Sequence, residues 1–137
     1  MSAEDNKAII RRGFDAMNAK DFAAFGQIMA PDYVNHDMPT PGPGPEGFKQ
    51  VIDMFFAAFP DMRISLEAQL GDGDLVANRG TMTGTHQGEF MGVPATGKQV
   101  TVPFMDFWRL ENGMAVENWV RLDIMGLMQQ IGTVPGA

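Results

Sequence analysis

The sequence predicts an α+β fold in which helices pack on one face of a curved antiparallel sheet. Apolar residues recur at helical spacing in roughly the first 60 residues, whereas residues 64–124 contain runs with the composition of strands. Two dipeptides, Asp72-Gly73 and Asn112-Gly113, each separate two such runs and favour two-residue hairpin turns. With 137 residues, the chain is predicted to form a single domain over residues 1–137.

Three helices are predicted in the first half of the chain. The first spans residues 3–19, and a short second helix is capped by Asp21 and ended by Pro31. The third spans residues 46–59 and stops before a proline. Residues 38–45 are rich in proline and glycine, so we expect a surface loop there, because proline supplies no N–H and glycine adds backbone freedom.

Four strands are predicted in the second half, over residues 64–70, 75–81, 100–110 and 114–124. A two-residue turn at Asn112-Gly113 fixes which residues of the last two strands share a face. One face is then apolar packing surface. The other face collects Val102, Phe104, Asp106, Trp108 and Leu110 with Ala115, Glu117, Trp119, Arg121 and Asp123.

This second face mixes aromatic and charged side chains, which is typical of the wall of a small-molecule site. The sequence therefore predicts substrate contacts by Phe104, Asp106, Trp108, Glu117 and Trp119. The alternative is a solvated face on which the tryptophans lie flat at an edge or in a dimer contact.

Arg79 is the exception among apolar neighbours in the Asp72-Gly73 hairpin. A buried guanidinium is unfavourable unless it is paired, so Arg79 requires a carboxylate or an anionic ligand. The structural alternative is an ion pair with Asp106, Glu117 or Asp123, or a position at a strand end where the head reaches water.

Other chemically active side chains are few. The two histidines, His36 and His86, could be grouped with Asp37 as metal ligands, but their spacing is not diagnostic, and we predict no metal. Cysteine is absent, and no phosphate-binding loop, dinucleotide fingerprint or nucleophile elbow is found, so no cofactor is predicted. What remains is general acid–base catalysis by a carboxylate in an apolar pocket.

The charge balance limits the partners. Ten Lys and Arg against 17 Asp and Glu give a net charge of −7, which disfavours nucleic acids and anionic membrane surfaces. The amino-terminal residues are acidic and polar, unlike a signal peptide, and the absence of cysteine agrees with a reducing compartment. A cytoplasmic location is therefore predicted.

Seven segments, in order over roughly residues 5–132, follow the pattern of one family. They are Asp32–Asp37, Gly44–Phe48, Phe59–Asp61, Gly73–Arg79, Gly84–Gly97, Glu117–Asp123 and Gly126–Gly132. Together they resemble the SnoaL-like polyketide cyclases of the NTF2-like superfamily. The resemblance implies a cone in which a curved antiparallel sheet wraps around amino-terminal helices and encloses a pocket, often in a homodimer.

The resemblance also implies an activity. Family cyclases close a ring by intramolecular aldol condensation, without metal or cofactor, with an Asp on the last strand as proton carrier; by position this is Asp123. We hypothesise that Asp123 removes a proton from a carbon flanked by carbonyls of an apolar substrate. His36 or Arg79 would then stabilise the enolate oxygen.

Alternatives remain open, since fold does not fix function. One is another enzyme on the same cone: an epoxide hydrolase, a cofactor-independent hydroxylase, or a ketosteroid-type isomerase. The isomerase requires a tyrosine in the site, and the one tyrosine, Tyr33, is predicted outside the sheet. A methionine-rich pocket also suits a non-catalytic protein that binds hydrophobic ligands. An interaction domain like the transport factor that names the superfamily is a further alternative.

Overall fold

The computed structural model describes residues 1–38 and 40–132 and confirms the α+β fold class. A five-stranded sheet carries helices on its inner face. In chain order the elements are α1 (Ala3–Asn18), α2 (Phe22–Gln27), β1 (Met29–Asn35), α3 (Gly44–Ala58), β2 (Arg63–Asp72), β3 (Leu75–Thr85), β4 (Gln99–Glu111), β5 (Met114–Leu122) and α4 (Ile124–Ile131). Within these residues, no helix is long and apolar enough to cross a membrane.

The first two helices begin at side-chain caps. Ser2 and Asp5 form a capping box at α1, each side chain accepting from the other residue's backbone N–H at 3.0 and 3.1 Å. Asp21 caps α2 as predicted, because its carboxylate accepts from the N–H of Ala24 at 3.1 Å.

The chain after α2 differs from the prediction. The second helix was expected to reach Pro31, but residues from Met29 onward form β1, which lies parallel to β5 at one edge of the sheet. Short apolar runs do not distinguish a helix from a strand by periodicity, and an edge strand tolerates proline. Tyr33, predicted outside the sheet, is therefore a buried residue of β1.

The turn at Asn112-Gly113 is confirmed by the positive φ of both residues, 51° and 77°. The register beyond it is not as predicted, because β5 contains a β-bulge. Leu110 lies opposite Ala115, but Arg109 lies opposite Glu117, so Val116 is an extra residue. The bulge turns Glu117, Trp119 and Arg121 onto the face opposite to that of Phe104, Asp106 and Trp108, and the predicted mixed face is wrong.

The first hairpin departs from its predicted register in a similar way. Its turn lies one residue later than predicted, since Asp72 pairs with Leu75, and Glu67 is an extra residue in β2. Ile64 and Leu66, predicted to share a side with Arg79, instead lie opposite the buried Met82 and Gly80.

The core lies between α1, α3 and the inner face of the sheet and is rich in aromatic residues. Phe14 of α1 contacts Phe104 and Trp108 of β4, with ring centroids 6.1 and 6.4 Å apart. Phe48 of α3 stacks on Phe25 at 5.1 Å and meets the Trp108 ring edge-on at 6.0 Å. Four of these rings, those of Phe14, Phe48, Phe104 and Trp108, also line a cavity.

Candidate active site

A cavity opens between the inner face of the sheet and helices α1 and α3. Its empty space, including the mouth that opens to solvent, is about 600 Å³. Its lining is mostly aromatic, aliphatic and methionine side chains, among them Phe14, Phe48 and Met82. Asp106 is the only ionisable residue among the described residues that line it, and Asn35 and Asn118 supply amides.

Asp106 is buried in β4, with 5% of its surface exposed. Asn78 donates from Nδ2 to Oδ1 at 2.7 Å, and Trp108 donates from Nε1 to Oδ2 at 3.1 Å. Burial raises the pKa of Asp106 to about 6, although both hydrogen bonds favour the charged form and act in the opposite direction. Near neutral pH this carboxylate is mostly ionised and still basic enough to accept a proton.

Amide side chains lie beside this carboxylate on neighbouring strands. Asn78 pairs with Asp106 across β3 and β4, while Asn118 of β5 lies opposite Trp108 on one side and Asn35 on the other. The Tyr33 hydroxyl donates to Oδ1 of Asn118. Burial raises the pKa of Tyr33, so this hydroxyl keeps its proton and remains a donor.

Comparison with known proteins identifies the family. The model of the SnoaL-like polyketide cyclase family matches residues 8–131. The chain belongs to the SnoaL-like polyketide cyclase family. No curated protein matches it significantly.

Solved structures of SnoaL-like proteins share the whole fold. IdmH of Streptomyces antibioticus, a candidate polyketide cyclase, is 32% identical, with 93% of this chain and 98% of IdmH covered and a TM-score of 0.83. AclR of Streptomyces galilaeus, a candidate hydroxylase, is 28% identical, with coverage of 99% and 86% and a TM-score of 0.87. A candidate SnoaL-like polyketide cyclase from Jannaschia is 26% identical, with coverage of 97% and 95% and a TM-score of 0.86. The fold is thus NTF2-like.

The cavity of this SnoaL-like chain contains three of the residues singled out from the sequence, Phe104, Asp106 and Trp108. Asp123, expected beside them, lies elsewhere. It follows the last residue of β5 and is the N-cap of α4, where Oδ1 accepts from the N–H of Gly126 at 2.9 Å. Its side chain is exposed and does not line the cavity, so the prediction that it shares a face with Asp106 is wrong.

His36, Glu117 and Trp119 come together on the outer side of the sheet. The His36 ring stacks on Trp119 with centroids 4.9 Å apart, and its Nε2 lies 2.8 Å from Oε2 of Glu117. Glu117 also accepts from Nε of Arg109 at 2.7 Å, and these hydrogen bonds, led by that of Arg109, lower its pKa. Glu117 and Nε2 of His36 are therefore each paired with a neighbour.

Arg79 is also on the outer face, and its side chain is 56% exposed. Its partner is Glu67 at 3.4 Å, not Asp106, Glu117 or Asp123. Arg79 belongs to a broad concave surface that we call the outer groove. Its lining includes Asp37, Glu67, Arg79, Met105, Phe107, Trp119, Arg121 and Asp123.

The second histidine does not join the first. His86 is fully buried beside Phe59, and its Nδ1 lies 2.9 Å from Oγ1 of Thr96. Among residues 1–38 and 40–132, no group of three His, Cys, Asp or Glu side chains is placed to hold a metal ion.

Four polar residues near the cavity were missed in the sequence: Tyr33, Asn35, Asn78 and Asn118. A usable signal was present, because asparagine is depleted in strands and a buried amide requires hydrogen-bond partners. Asn78 and Asn118 lie within β3 and β5 and are only 4% and 2% exposed.

Proposed function

We propose that this protein is a cofactor-independent enzyme that uses Asp106 as general base and general acid on an apolar carbonyl compound. The observation that carries the proposal is a single ionisable side chain, with a pKa near 6, among the described residues of an otherwise apolar cavity. The family suggests the reaction, an intramolecular aldol ring closure, and IdmH is itself described as a candidate polyketide cyclase.

The reaction requires only proton transfers and one new carbon–carbon bond. Ionised Asp106 removes a proton from a carbon next to a carbonyl, and the electron pair of that C–H bond forms an enolate. The enolate carbon attacks a second carbonyl carbon of the same molecule, whose C=O π electrons become an alkoxide. The alkoxide takes the proton from the Asp106 carboxyl group, which restores the ionised base.

The walls suit a flat, apolar substrate. Trp108 and Phe104 of β4 and Phe14 of α1 surround Asp106 with rings against which an aromatic polyketide could pack. Such packing would bring the two ends of one molecule together. Asp123, His36 and Arg79 lie outside this cavity, so the proposal gives them no catalytic step.

Exchange of an acidic C–H tests the proton-transfer step directly. The probe is 2-tetralone, a flat ketone, whose loss of proton signal at the carbon next to the carbonyl is followed by NMR in D₂O. Asp106→Asn should reduce the enzyme-dependent exchange at least ~100-fold, whereas Asp123→Asn should leave it within about twofold of wild type. Undiminished exchange by Asp106→Asn would refute the assignment.

A binding protein without turnover is the second candidate, favoured by the methionines of the cavity. Met17, Met38, Met62 and Met82 line it, and their flexible thioethers adapt to ligands of different shape. Saturable binding of flat hydrophobic ligands without any enzyme-dependent exchange of 2-tetralone or turnover of aromatic β-dicarbonyl compounds would favour this function.

We further propose that two copies pair through the outer groove. Met105 and Phe107 are 62% and 51% exposed there. Arg79 and Arg121 lie among carboxylates in the same groove. A surface with apolar residues and charges of both signs can complement a second copy of itself.

Phe107→Lys should shift the mass measured by light scattering from dimer to monomer. Val34→Lys, at an exposed position outside the groove, should leave this mass unchanged. A monomeric wild type would refute the pairing.

A further inference from the structure

We infer that the side-chain amide of Asn118 donates the hydrogen bond that holds the substrate's carbonyl oxygen, and that Tyr33 fixes the direction of this amide. The inference rests on the proposed function, because the carbonyl oxygen gains negative charge only when a proton is removed from the neighbouring carbon. It adds a substrate-contacting residue and a requirement on the substrate.

The position of Asn118 relative to Asp106 comes from the strand register. Asp106 lies opposite Val120, and Asn118 lies opposite Trp108, so Asp106 and Asn118 are diagonal neighbours on adjacent strands. Such neighbours are about 7–8 Å apart. Both line the same cavity. One ketone can therefore place its acidic carbon beside Asp106 and the oxygen of the adjoining carbonyl beside Asn118.

The direction of the Asn118 amide is set by Tyr33. The tyrosine hydroxyl has one hydrogen, which it donates to Oδ1 of Asn118. With the carbonyl end of the amide engaged in this way, Nδ2 is left to donate to another acceptor. The backbone is fixed as well, because the carbonyl of Asn118 accepts from the N–H of His36 at 3.0 Å. The donor is therefore in place before the substrate binds.

The donors beside Asp106 are already engaged. Nε1 of Trp108 and Nδ2 of Asn78 both donate to Asp106. Oδ1 of Asn35 accepts from the N–H groups of Asp37 and Met38 at 3.1 and 3.0 Å. Nδ2 of Asn35 has no hydrogen-bond partner, but it is buried and almost inaccessible to solvent. Asn118 is thus the residue fitted to select a ligand with a hydrogen-bond acceptor: a ketone or ester whose acidic carbon is bonded to that carbonyl.

The test uses two probes of matched shape. 2-Tetralone reports proton removal by NMR exchange, and 2-naphthol, which resembles its enol, reports binding by its fluorescence. Asn118→Leu should weaken 2-naphthol binding about tenfold and slow 2-tetralone exchange about 100-fold. Tyr33→Phe keeps the Asn118 amide but removes the hydrogen bond that orients it. For 2-tetralone exchange, kcat should therefore fall about fivefold to tenfold with little change in KM.

Asn6→Leu is the matched control, because Asn6 is also buried, 3% exposed, but lies outside the cavity. It should leave both probes unaffected. A folded Asn118→Leu that keeps wild-type affinity and exchange would overturn the inference, as would a wild type that does not bind 2-naphthol. If Asn118→Leu does not fold, Tyr33→Phe decides, and unchanged kcat would overturn the inference.

Asp106→Asn separates this inference from the proposed function. If both hold, that variant loses exchange of 2-tetralone but still binds 2-naphthol through Asn118. If Asp106→Asn retains exchange, the proposed function fails, and the affinities of Asn118→Leu and wild type for 2-naphthol still test the amide on its own.

Discussion

Two aspartates on opposite sides of one sheet have pKa values shifted in opposite directions. Asp106 faces the cavity, and burial raises its pKa to about 6. The outer Asp37 is hydrogen-bonded by Arg121 and by the N–H of Val120 at 2.7 Å; the Arg121 bond in particular lowers its pKa. The comparison shows that a nearby cation turns a carboxylate into a structural anchor, whereas an apolar wall without a cation keeps it basic.

The largest effect should appear in the pH dependence of 2-tetralone exchange. Asp106 must be ionised to accept a proton, so kcat/KM should be constant above its pKa of about 6. Below that pKa, kcat/KM should fall about tenfold for each pH unit, to a value about 100-fold below its plateau at pH 4. A rate independent of pH over this range would assign the proton transfer to another group.

A smaller effect is expected on the free energy of unfolding. Its change with pH should have opposite signs for Asp106, which faces the cavity, and for Asp37 on the outer side of the sheet. The pKa of Asp106 is higher in the folded than in the unfolded protein, so protonation of Asp106 stabilises the fold. This stabilisation is complete below about pH 4 and is lost as the pH rises through about 6. Above that pH, a neutral amide avoids the desolvation of the charge.

The stability of Asp106→Asn relative to wild type should therefore rise by about 1–3 kcal/mol between pH 4 and pH 8. Thermal unfolding of both proteins, followed by circular dichroism at pH 4 and pH 8, measures this change. The prediction is contradicted if the stability of the variant relative to wild type is lower at pH 8 than at pH 4.

The smallest effect is expected for Asp37→Asn, with the opposite sign. The lowered pKa of Asp37 means that its stabilising effect is present above the unfolded pKa of about 4 and is lost as the pH falls below it. Thermal unfolding should show the variant slightly less stable than wild type at pH 7, and the difference should shrink as the pH falls below about 4. Arg121→Gln should show the same loss, and the double variant should lose no more than either single one.

The elements that the sequence predicted well are those with local signals. Asp21 caps α2, the Asn112-Gly113 turn has the expected positive φ values, and α3 lies within two residues of its predicted bounds. β1 was missed because its pairing partner, β5, lies about 80 residues away in the chain. Its short apolar segment carries no local mark of that distant pairing.

The site was predicted in part. Phe104, Asp106 and Trp108 line the cavity because they alternate along one uninterrupted strand, and their contacts with substrate stay a prediction. The roles given to Asp123, His36 and Arg79 stay predictions, but all three lie outside the cavity. Their expected positions depended on a regular register across hairpins, and a single bulged residue alters that register without an obvious sequence signal.

The bulge at Val116 also means that the contents of the cavity depend on a count of residues as much as on their identity. If Val116 instead paired regularly with Arg109, Glu117, Trp119 and Arg121 would turn inward in place of Asn118, Val120 and Leu122. An apolar chamber with one acid would then become a charged one. Insertions and deletions in this hairpin are therefore a route by which relatives with the same fold could acquire different chemistry, and sequence comparison must place its gap here before any residue is matched.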